Sequence, residues 1–330
     1  MYIELVRQFD NRKKAVWQEF LKNAKLSCDE YVEETVLLWE EEQLIGTGSR
    51  DGNLLKLIAI SPEYHGEDLT SVLLSELRKS AFEEGFNHLF LYTKPENEKI
   101  FQSLFFYTVA KTDNVLLMEN RKDGINNFLM EIFEEKAEGT VGAIVMNANP
   151  FTKGHRYLVE IAAEKCDKLY VFVVSEDKSN FPANDRLEMV KLGTKDIEKV
   201  TVLPTGPYLV SSATFPTYFL KEREKASEVQ CLLDVEIFLK YFVPKFSISV
   251  RFVGEEPLSP MTNEYNKVLK SELEKSEVKV FEIPRLCEDG VVISASTVRK
   301  LLEKGDIQSI KKFVPSTTFE YLKTKGFITE

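Results

Sequence analysis

The spacing of hydrophobic and polar residues changes near residue 120. Before that point, residues 35–60 (TVLLWEEEQLIGTGSRDGNLLKLIAI) contain apolar runs separated by short polar turns, which predicts three antiparallel strands. Residues 69–86 have apolar positions at helical spacing and end at Gly85, a residue that suits a helix C-cap. The full order predicted for this part is strand, helix, three strands, helix, strand, helix and strand, an α+β arrangement.

From Thr140 onwards, apolar runs alternate with helical stretches. Predicted strands are the runs VGAIVM, KLYVFVV, KVTVLP, ISVRFVG and VKVFEIP. Alternating strands and helices are typical of a doubly wound parallel sheet, so a Rossmann-like α/β domain is predicted here. The charged stretch between the two patterns has helical character. We therefore predict domains at 1–120 and 140–330, joined by a helical connector at 121–139.

Composition narrows the class of protein. The 330 residues are 43% hydrophobic and 29% charged, which predicts a soluble, two-domain protein. The formal net charge of -10 disfavours a general nucleic-acid binder. The chain has no apolar run of membrane-spanning length, and its start, MYIELVRQFDNRKK, does not resemble a signal peptide, so a cytoplasmic location is predicted. The cysteines and histidines are widely spaced without a CxxC pair, so no protein-ligated metal site is predicted.

The segment NANPFTKGH joins the first strand of the parallel domain to its first helix. In such sheets, ligands bind at the carboxyl ends of the strands, where helix N-termini attract anions. Pro150 fixes the turn, Gly154 permits a close approach, and Thr152 and His155 lie on one face of the helix start. The alternative is a Thr cap beside a surface histidine. The strand–turn–helix context favours phosphate contact.

A second helix start, in VVISASTVRKLLEKG, carries a similar set of groups. Ser294, Ser296 and Thr297 supply hydroxyls, and Arg299 follows within the first turns. Hydroxyl, N–H and guanidinium donors suit a phosphate, although an ordinary serine N-cap would give the same residues. Two such segments in one α/β domain favour a nucleotide site.

These segments resemble motifs of the nucleotidyltransferase superfamily. NPFTKGH is similar to its H/T-x-G-H motif, and ISASTVR is similar to its C-terminal I-S-S-T-x-x-R motif. Together with VVSEDKSNFPANDRLEMV and VGEEPLSPMTNEYN, they resemble the citrate lyase ligase family over nearly the whole chain. The resemblance implies that ATP, with Mg²⁺, activates acetate as acetyl-adenylate. The acetyl group then passes to the phosphoribosyl-dephospho-CoA thiol on the acyl carrier subunit of citrate lyase, with AMP and pyrophosphate released.

The resemblance also assigns roles to residues. Thr152 and His155 would hold the triphosphate, with His155 stabilising the transition state, and Lys178 would neutralise phosphate charge unless it is a solvated surface lysine. Arg186 would contact the nucleotide or form an ion pair with Asp185 or Glu188. The full set of candidate nucleotide-binding residues is Asn147, Asn149, Pro150, Phe151, Gly154, Arg186, Gly254, Glu255, Ser294, Ser296, Thr297 and Arg299.

The N-terminal part resembles the GNAT acetyltransferases through residues 57–94. Their pyrophosphate-binding loop corresponds here to residues 64–69, where Gly66 is retained but Glu67 and Asp68 add negative charge. Carboxylates disfavour a pyrophosphate, so strong acetyl-CoA binding is not expected. The domain would guide the pantetheine arm of the carrier or serve stability and docking.

Three other functions stay open on the sequence. They are a plain adenylyltransferase acting on a phosphorylated metabolite, an N-acetyltransferase, and a nucleotide-sensing module without catalysis. Acetate selectivity is provisionally assigned to residues 204–221, with Tyr208, Phe215 and Tyr218 as candidates.

Overall fold

A computed structural model describes residues 1–26, 31–66, 68–214, 228–256, 260–288 and 291–328. The chain divides into two compact units, Met1–Gly124 and Ile125–Glu330. Phe215, Tyr218 and Glu67 lie outside the described residues. Within the described ranges, no helix is both long and apolar enough to cross a membrane.

The first unit is built on one mixed sheet. Its strands, as far as this unit is described, are β1 (Tyr2–Val6), β2 (Glu34–Glu40), β3 (Gln43–Asp51), β4 (Leu54–Ile60), β5 (Phe90–Thr93), β6 (Tyr107–Lys111) and β7 (Leu116–Glu119). They lie in the order β1-β2-β3-β4-β5-β7-β6. The helices are α1 (Asn11–Asn23), α2 (Leu69–Glu83) and α3 (Glu98–Ser103), with short 3₁₀ turns at Pro62–Tyr64 and Pro95–Asn97. The α+β class predicted for this part is confirmed.

Two local features of this sheet were not predicted. One strand was expected after α3, but the chain forms the hairpin β6–β7. The polar residues around Thr112 close the turn of this hairpin, and the Thr112 N–H donates to the carbonyl of Val115 at 2.8 Å. The parallel strands β4 and β5 pair at Leu54–Phe90 and Leu55–Leu91, while β4 continues to Ile60. The sheet therefore opens between the carboxyl ends of these two strands.

The second unit contains the predicted parallel sheet. Its strands are β8 (Val141–Met146), β9 (Lys168–Val173), β10 (Val200–Pro204), β11 (Val250–Gly254) and β12 (Lys279–Ile283). All neighbours in the order β10-β9-β8-β11-β12 pair in parallel. The chain winds outwards from β8 to β10 and then returns to the other side of β8. The carboxyl ends of β8 and β11 therefore mark the point where ligands bind in folds of this kind.

Helices cover both faces of this sheet. In chain order the described ones are α4 (Gly124–Ile132), α5 (Lys153–Glu164), α6 (Ala183–Thr194), α7 (Glu228–Ile237), α8 (Val243–Phe246), α9 (Pro260–Leu273), α10 (Ala295–Glu303), α11 (Ile307–Phe313) and α12 (Ser316–Thr324). A π-helical turn, Phe238–Phe242, joins α7 to α8, and a short hairpin pairs β13 (Cys287–Glu288) with β14 (Val291–Val292). The helix α4 falls within the stretch predicted as a connector, and its Ile125 and Leu129 are buried.

Successive strand residues face opposite layers, as the pleat requires. Ile144 and Phe252 pack into the larger core with the buried residues of α5 and α6. Val145 packs with Val174 and Val210 against the helices of the other face. This alternation decides which side chains reach the carboxyl-end cavity from each layer.

Candidate nucleotide site

A cavity of about 570 Å³ opens at the carboxyl edge of the parallel sheet. Its walls come from the loop after β8, the start of α5, the end of β11 and the start of α10. The cavity lies entirely within the second unit. Of the candidate residues, it brings together Asn147, Asn149, Thr152, Gly154, His155, Gly254, Glu255, Ser294, Ser296 and Arg299.

Thr152 and His155 begin α5 as a reciprocal pair. The Thr152 hydroxyl accepts from the N–H of His155 at 3.3 Å, and the Thr152 N–H donates to Nδ1 of His155 at 3.1 Å. Thr152 is buried, so its N–H depends on this partner. The spacing that suggested a phosphate site thus also builds a capping box.

The same contacts fix the proton position on His155. Because Nδ1 accepts a backbone N–H, the proton of the neutral ring lies on Nε2. Burial, together with the charge of Arg285, lowers the pKa of His155 to about 4. At neutral pH the ring is therefore uncharged and offers Nε2–H as a donor from the cavity wall.

The second helix start packs directly against the first. A Cβ atom on Gly154 would lie 3.1 Å from the carbonyl oxygen of Ile293, the residue that precedes the N-cap Ser294. Ser294 accepts from the N–H of Thr297 at 3.1 Å, and Arg299 donates to the carbonyl of Asn149 at 2.6 Å. The absence of a side chain at Gly154 therefore lets two helix N-termini face one cavity.

The end of β11 forms the opposite wall. A Cβ atom on Gly254 would meet its nearest protein atom, Cδ2 of Leu158, at 3.9 Å, so the space above this glycine is open. The Glu255 carbonyl accepts from Nε of Arg285 at 2.8 Å, and Arg285 also pairs with Glu256. This wall presents backbone and open space to a flat ligand, and the Glu256 side chain is held by Arg285.

Other candidates lie beside the cavity rather than in its lining. Arg186 is fully buried and donates to the backbone carbonyls of Asn147, Val174, Glu176 and Phe181. It also donates to the side chain of Asn147 at 2.5 Å, so its contacts hold the loop after β8 in place.

The remaining candidates differ in their surroundings. Phe151 is buried and stacks on the His155 ring with centroids 5.8 Å apart. Pro150 precedes it after a cis peptide bond. Thr297 bonds to Ser294, and Lys178 is exposed on the stretch after β9. None of these four appears in the lining described above.

Comparison with known proteins places the chain in a family. The family model for the citrate lyase ligase C-terminal domain matches residues 141–322. The chain is 40% identical over 325 residues to the citrate (pro-3S)-lyase ligase of Escherichia coli K12, covering 96% of this chain and 92% of that protein. The Klebsiella pneumoniae citrate (pro-3S)-lyase ligase is also 40% identical, over 319 residues, or 95% of this chain and 93% of that protein. This chain belongs to the citrate lyase ligase family.

Several solved structures are similar to part of this chain. One of them is an acyl-CoA N-acyltransferase from Pseudomonas aeruginosa, at 10% identity and a TM-score of 0.32, covering 37% of this chain and 100% of that chain.

The loop that resembles GNAT enzymes has Gly66 at φ +99° and Asp68 at φ +56°, and the Asp68 side chain does not cap α2.

Sequence reasoning missed one buried charged residue in the lining of this cavity. Arg251 is the second residue of β11, is 2% exposed and lines the cavity. A charged residue inside an otherwise apolar run was the available signal. Tyr208, which was assigned to acetate selectivity, is buried against Phe128 instead, with centroids 5.5 Å apart.

Proposed function

We propose that this protein uses ATP to acetylate the thiol prosthetic group on the acyl carrier subunit of citrate lyase. Its relatives are named as ligases of that enzyme, and they match nearly the whole chain. The products would be the acetylated carrier, AMP and pyrophosphate. The proposal locates the reaction in the cytoplasm, where ATP and a reduced thiol are both available.

The observation that carries this proposal is the convergence of two helix N-termini on one cavity. The helix dipole and the N–H groups of the first turn favour anions at α5 and at α10. Ser294, Ser296, Thr297 and Arg299 would hold the β- and γ-phosphates. The open space above Gly254 would take the adenosine.

The first step would join acetate to AMP. A carboxylate oxygen of acetate attacks the α-phosphorus, and the bond from that phosphorus to the pyrophosphate oxygen breaks. Catalysis of this kind depends on positioning and on neutralising charge on the phosphate oxygens. His155, neutral with its proton on Nε2, would donate to a phosphate oxygen as charge develops.

Magnesium would arrive with the triphosphate. Within the described residues, no group of three or more His, Cys, Asp or Glu side chains could hold a metal ion. With few carboxylates in the cavity lining, Mg²⁺ would be bound mainly through phosphate oxygens and water, with at most one or two carboxylates such as Glu255. When bound, the ion would supply neutralisation of the leaving pyrophosphate.

The second step would transfer the acetyl group. The carrier thiolate attacks the acetyl carbon, and the bond to the AMP oxygen breaks, releasing AMP. The thiol proton goes to solvent. The N-terminal unit would guide the pantetheine arm, and the opening between β4 and β5 supports that role.

The direct test is reactivation of deacetylated citrate lyase by the purified protein. Citrate cleavage should return when ATP, Mg²⁺ and acetate are all present, with one AMP formed for each carrier acetylated. A plain adenylyltransferase would leave AMP in a joined product, and an N-acetyltransferase would require acetyl-CoA. Either result would refute the proposal.

A further inference from the structure

Arg251 is a buried cation, and two of its three guanidinium nitrogens lack acceptors among the described residues. In the part of the chain that the structure describes, its Nε and Nη1 atoms have no hydrogen-bond partner. Its guanidinium carbon lies 4.8 Å from the ring centroid of Phe238, an attraction that leaves the N–H groups themselves unbonded. Buried guanidinium groups are normally paired, so this one lacks an anionic acceptor.

The carboxylate on the neighbouring helix does not fill that role. Asp234 is buried, and its Oδ1 accepts from the N–H of Val210 at 2.6 Å and from the Thr214 hydroxyl at 3.0 Å. Its Oδ2 accepts from the Tyr265 hydroxyl at 2.8 Å. The described residues show no ion pair between Asp234 and Arg251. Asp234 therefore attracts the Arg251 charge without bonding to it, and Nε and Nη1 of Arg251 stay without an acceptor in the described ranges.

Small apolar side chains accompany Arg251 in the cavity lining. Val145, Val174 and Val210 all line the cavity and pack in one cluster on the α7 and α9 face of the sheet. Arg251 pairs in register with Ala143, which places it below the carboxyl edge where β8 and β11 end. A buried guanidinium beside three valine side chains is complementary to a small carboxylate that carries a very short alkyl group.

We propose that Arg251 binds the carboxylate of a short aliphatic monocarboxylic acid, with the alkyl group against Val145, Val174 and Val210. Given the proposed function, this acid is acetate, and Arg251 is the residue that selects and positions it.

This placement separates the two anionic substrates. The helix starts with their N–H and hydroxyl groups suit the triphosphate, whereas a single planar cation at the floor suits one planar carboxylate. One carboxylate oxygen would bond to the guanidinium while the other remains free to attack. The valine side chains leave room for a methyl group and crowd a longer chain, which gives selectivity by size.

The test compares Arg251→Met with Arg251→Lys in the full-length protein. Methionine removes the charge while keeping volume, and thermal unfolding will show how well the fold tolerates losing a cation that attracts the buried Asp234 carboxylate. In acetate-dependent ATP–pyrophosphate exchange, loss of charge-assisted hydrogen bonds should raise the KM for acetate about 10- to 100-fold. The KM for ATP should stay within about threefold, because the helix starts are unchanged. Lysine should give a smaller rise in the acetate KM, since it keeps the charge but not the planar fork.

Two outcomes of this assay would overturn the assignment. An unchanged acetate KM in Arg251→Met would mean that the guanidinium does not contact the acid. A rise in the KM for ATP alone would assign Arg251 to the nucleotide.

A binding measurement separates this inference from the proposed function. Saturation-transfer NMR on the unmodified protein should show signal at the acetate methyl and none from acetamide at the same concentration. The acetate signal should be lost with Arg251→Met and weakened with Arg251→Lys. If exchange failed but this pattern held, the reaction would be wrong and the carboxylate site right. Absence of acetate signal from the unmodified protein, with ATP present as well, would overturn the site even if the variants did not fold. Val174→Ala adds a specificity test, since it should admit propionate in the exchange assay.

Discussion

Asparagine and glutamine each place an amide group at the position of one ring nitrogen of His155. Substituting them separates the two proposed roles of His155, the Nδ1 cap on the Thr152 N–H and the Nε2 contact with phosphate. In His155→Asn, the amide oxygen takes the position of Nδ1 and keeps an acceptor for the Thr152 N–H, but the group at Nε2 is lost. In His155→Gln, an amide N–H can reach the position of Nε2, but the cap at Thr152 is lost. His155→Ala removes both. The three variants therefore test whether the cap and the phosphate contact can be separated.

The expected sizes follow from the contacts of each nitrogen. The Thr152 N–H is buried and donates to Nδ1 at 3.1 Å, so losing that acceptor should cost about 1–3 kcal/mol of unfolding free energy. Losing a donor aimed at developing phosphate charge should slow the adenylation step about 10²- to 10³-fold. His155→Asn should thus be nearly as stable as the unmodified protein but poorly active. His155→Gln should be less stable and retain more activity than His155→Asn.

Urea unfolding gives the stabilities, and ATP–pyrophosphate exchange at saturating acetate and ATP gives the rates. The reasoning fails if His155→Asn exchanges at the unmodified rate, because Nε2 would then have no role in the chemistry. It also fails if His155→Asn is as unstable as His155→Ala, because Nδ1 would then not be the group that caps α5.

Three further changes test other parts of the site. Gly154→Ala places a Cβ atom 3.1 Å from the Ile293 carbonyl, and the strain of moving the two helix starts apart should exceed the ~1 kcal/mol that alanine gains over glycine in a helix. Urea unfolding should therefore show a net loss of stability, and a net gain would argue against close packing of the two helix starts. Gly254→Val points into open space, so it should leave the melting temperature unchanged but weaken ATP binding by calorimetry on the order of 10-fold; equal affinity would move the nucleotide elsewhere. Because the pKa of His155 falls from 6.5 to about 4 on folding, the unfolded chain binds more protons and His155 should reduce stability as pH falls through this window. His155→Asn should flatten that part of the stability profile, and an unaltered pH slope would contradict the pKa shift.

The elements around the nucleotide site could be predicted because their signals are local. Apolar runs bounded by polar turns marked the five parallel strands, and Thr152 and Ser294 each marked a helix start three residues before a bonded N–H. The hairpin β6–β7 was missed because its short polar turn did not interrupt the apolar pattern clearly. The nearness of Gly154 to Ile293 joins segments far apart in sequence, which spacing alone does not reveal.

Roles that depend on partners could not be predicted in this way. Arg186 was expected at a nucleotide or in an ion pair, but its donors are used by carbonyls of the chain segments after β8 and after β9, whose paths only the fold determines. Arg251 lies inside an otherwise apolar strand in the sequence. Its proposed role depends on the lack of acceptors for its Nε and Nη1 atoms in the described part of the chain, which only the structure reveals. For both arginines, the role follows from the burial of the side chain and from which of its hydrogen bonds are made.

ATP–pyrophosphate exchange with and without acetate tests the central claim most directly. The account predicts that labelled pyrophosphate enters ATP when acetate and Mg²⁺ are present, and that exchange stops when acetate is omitted. Exchange that proceeds equally without acetate, or that is absent even with deacetylated citrate lyase added, would contradict formation of an acetyl-adenylate in this cavity.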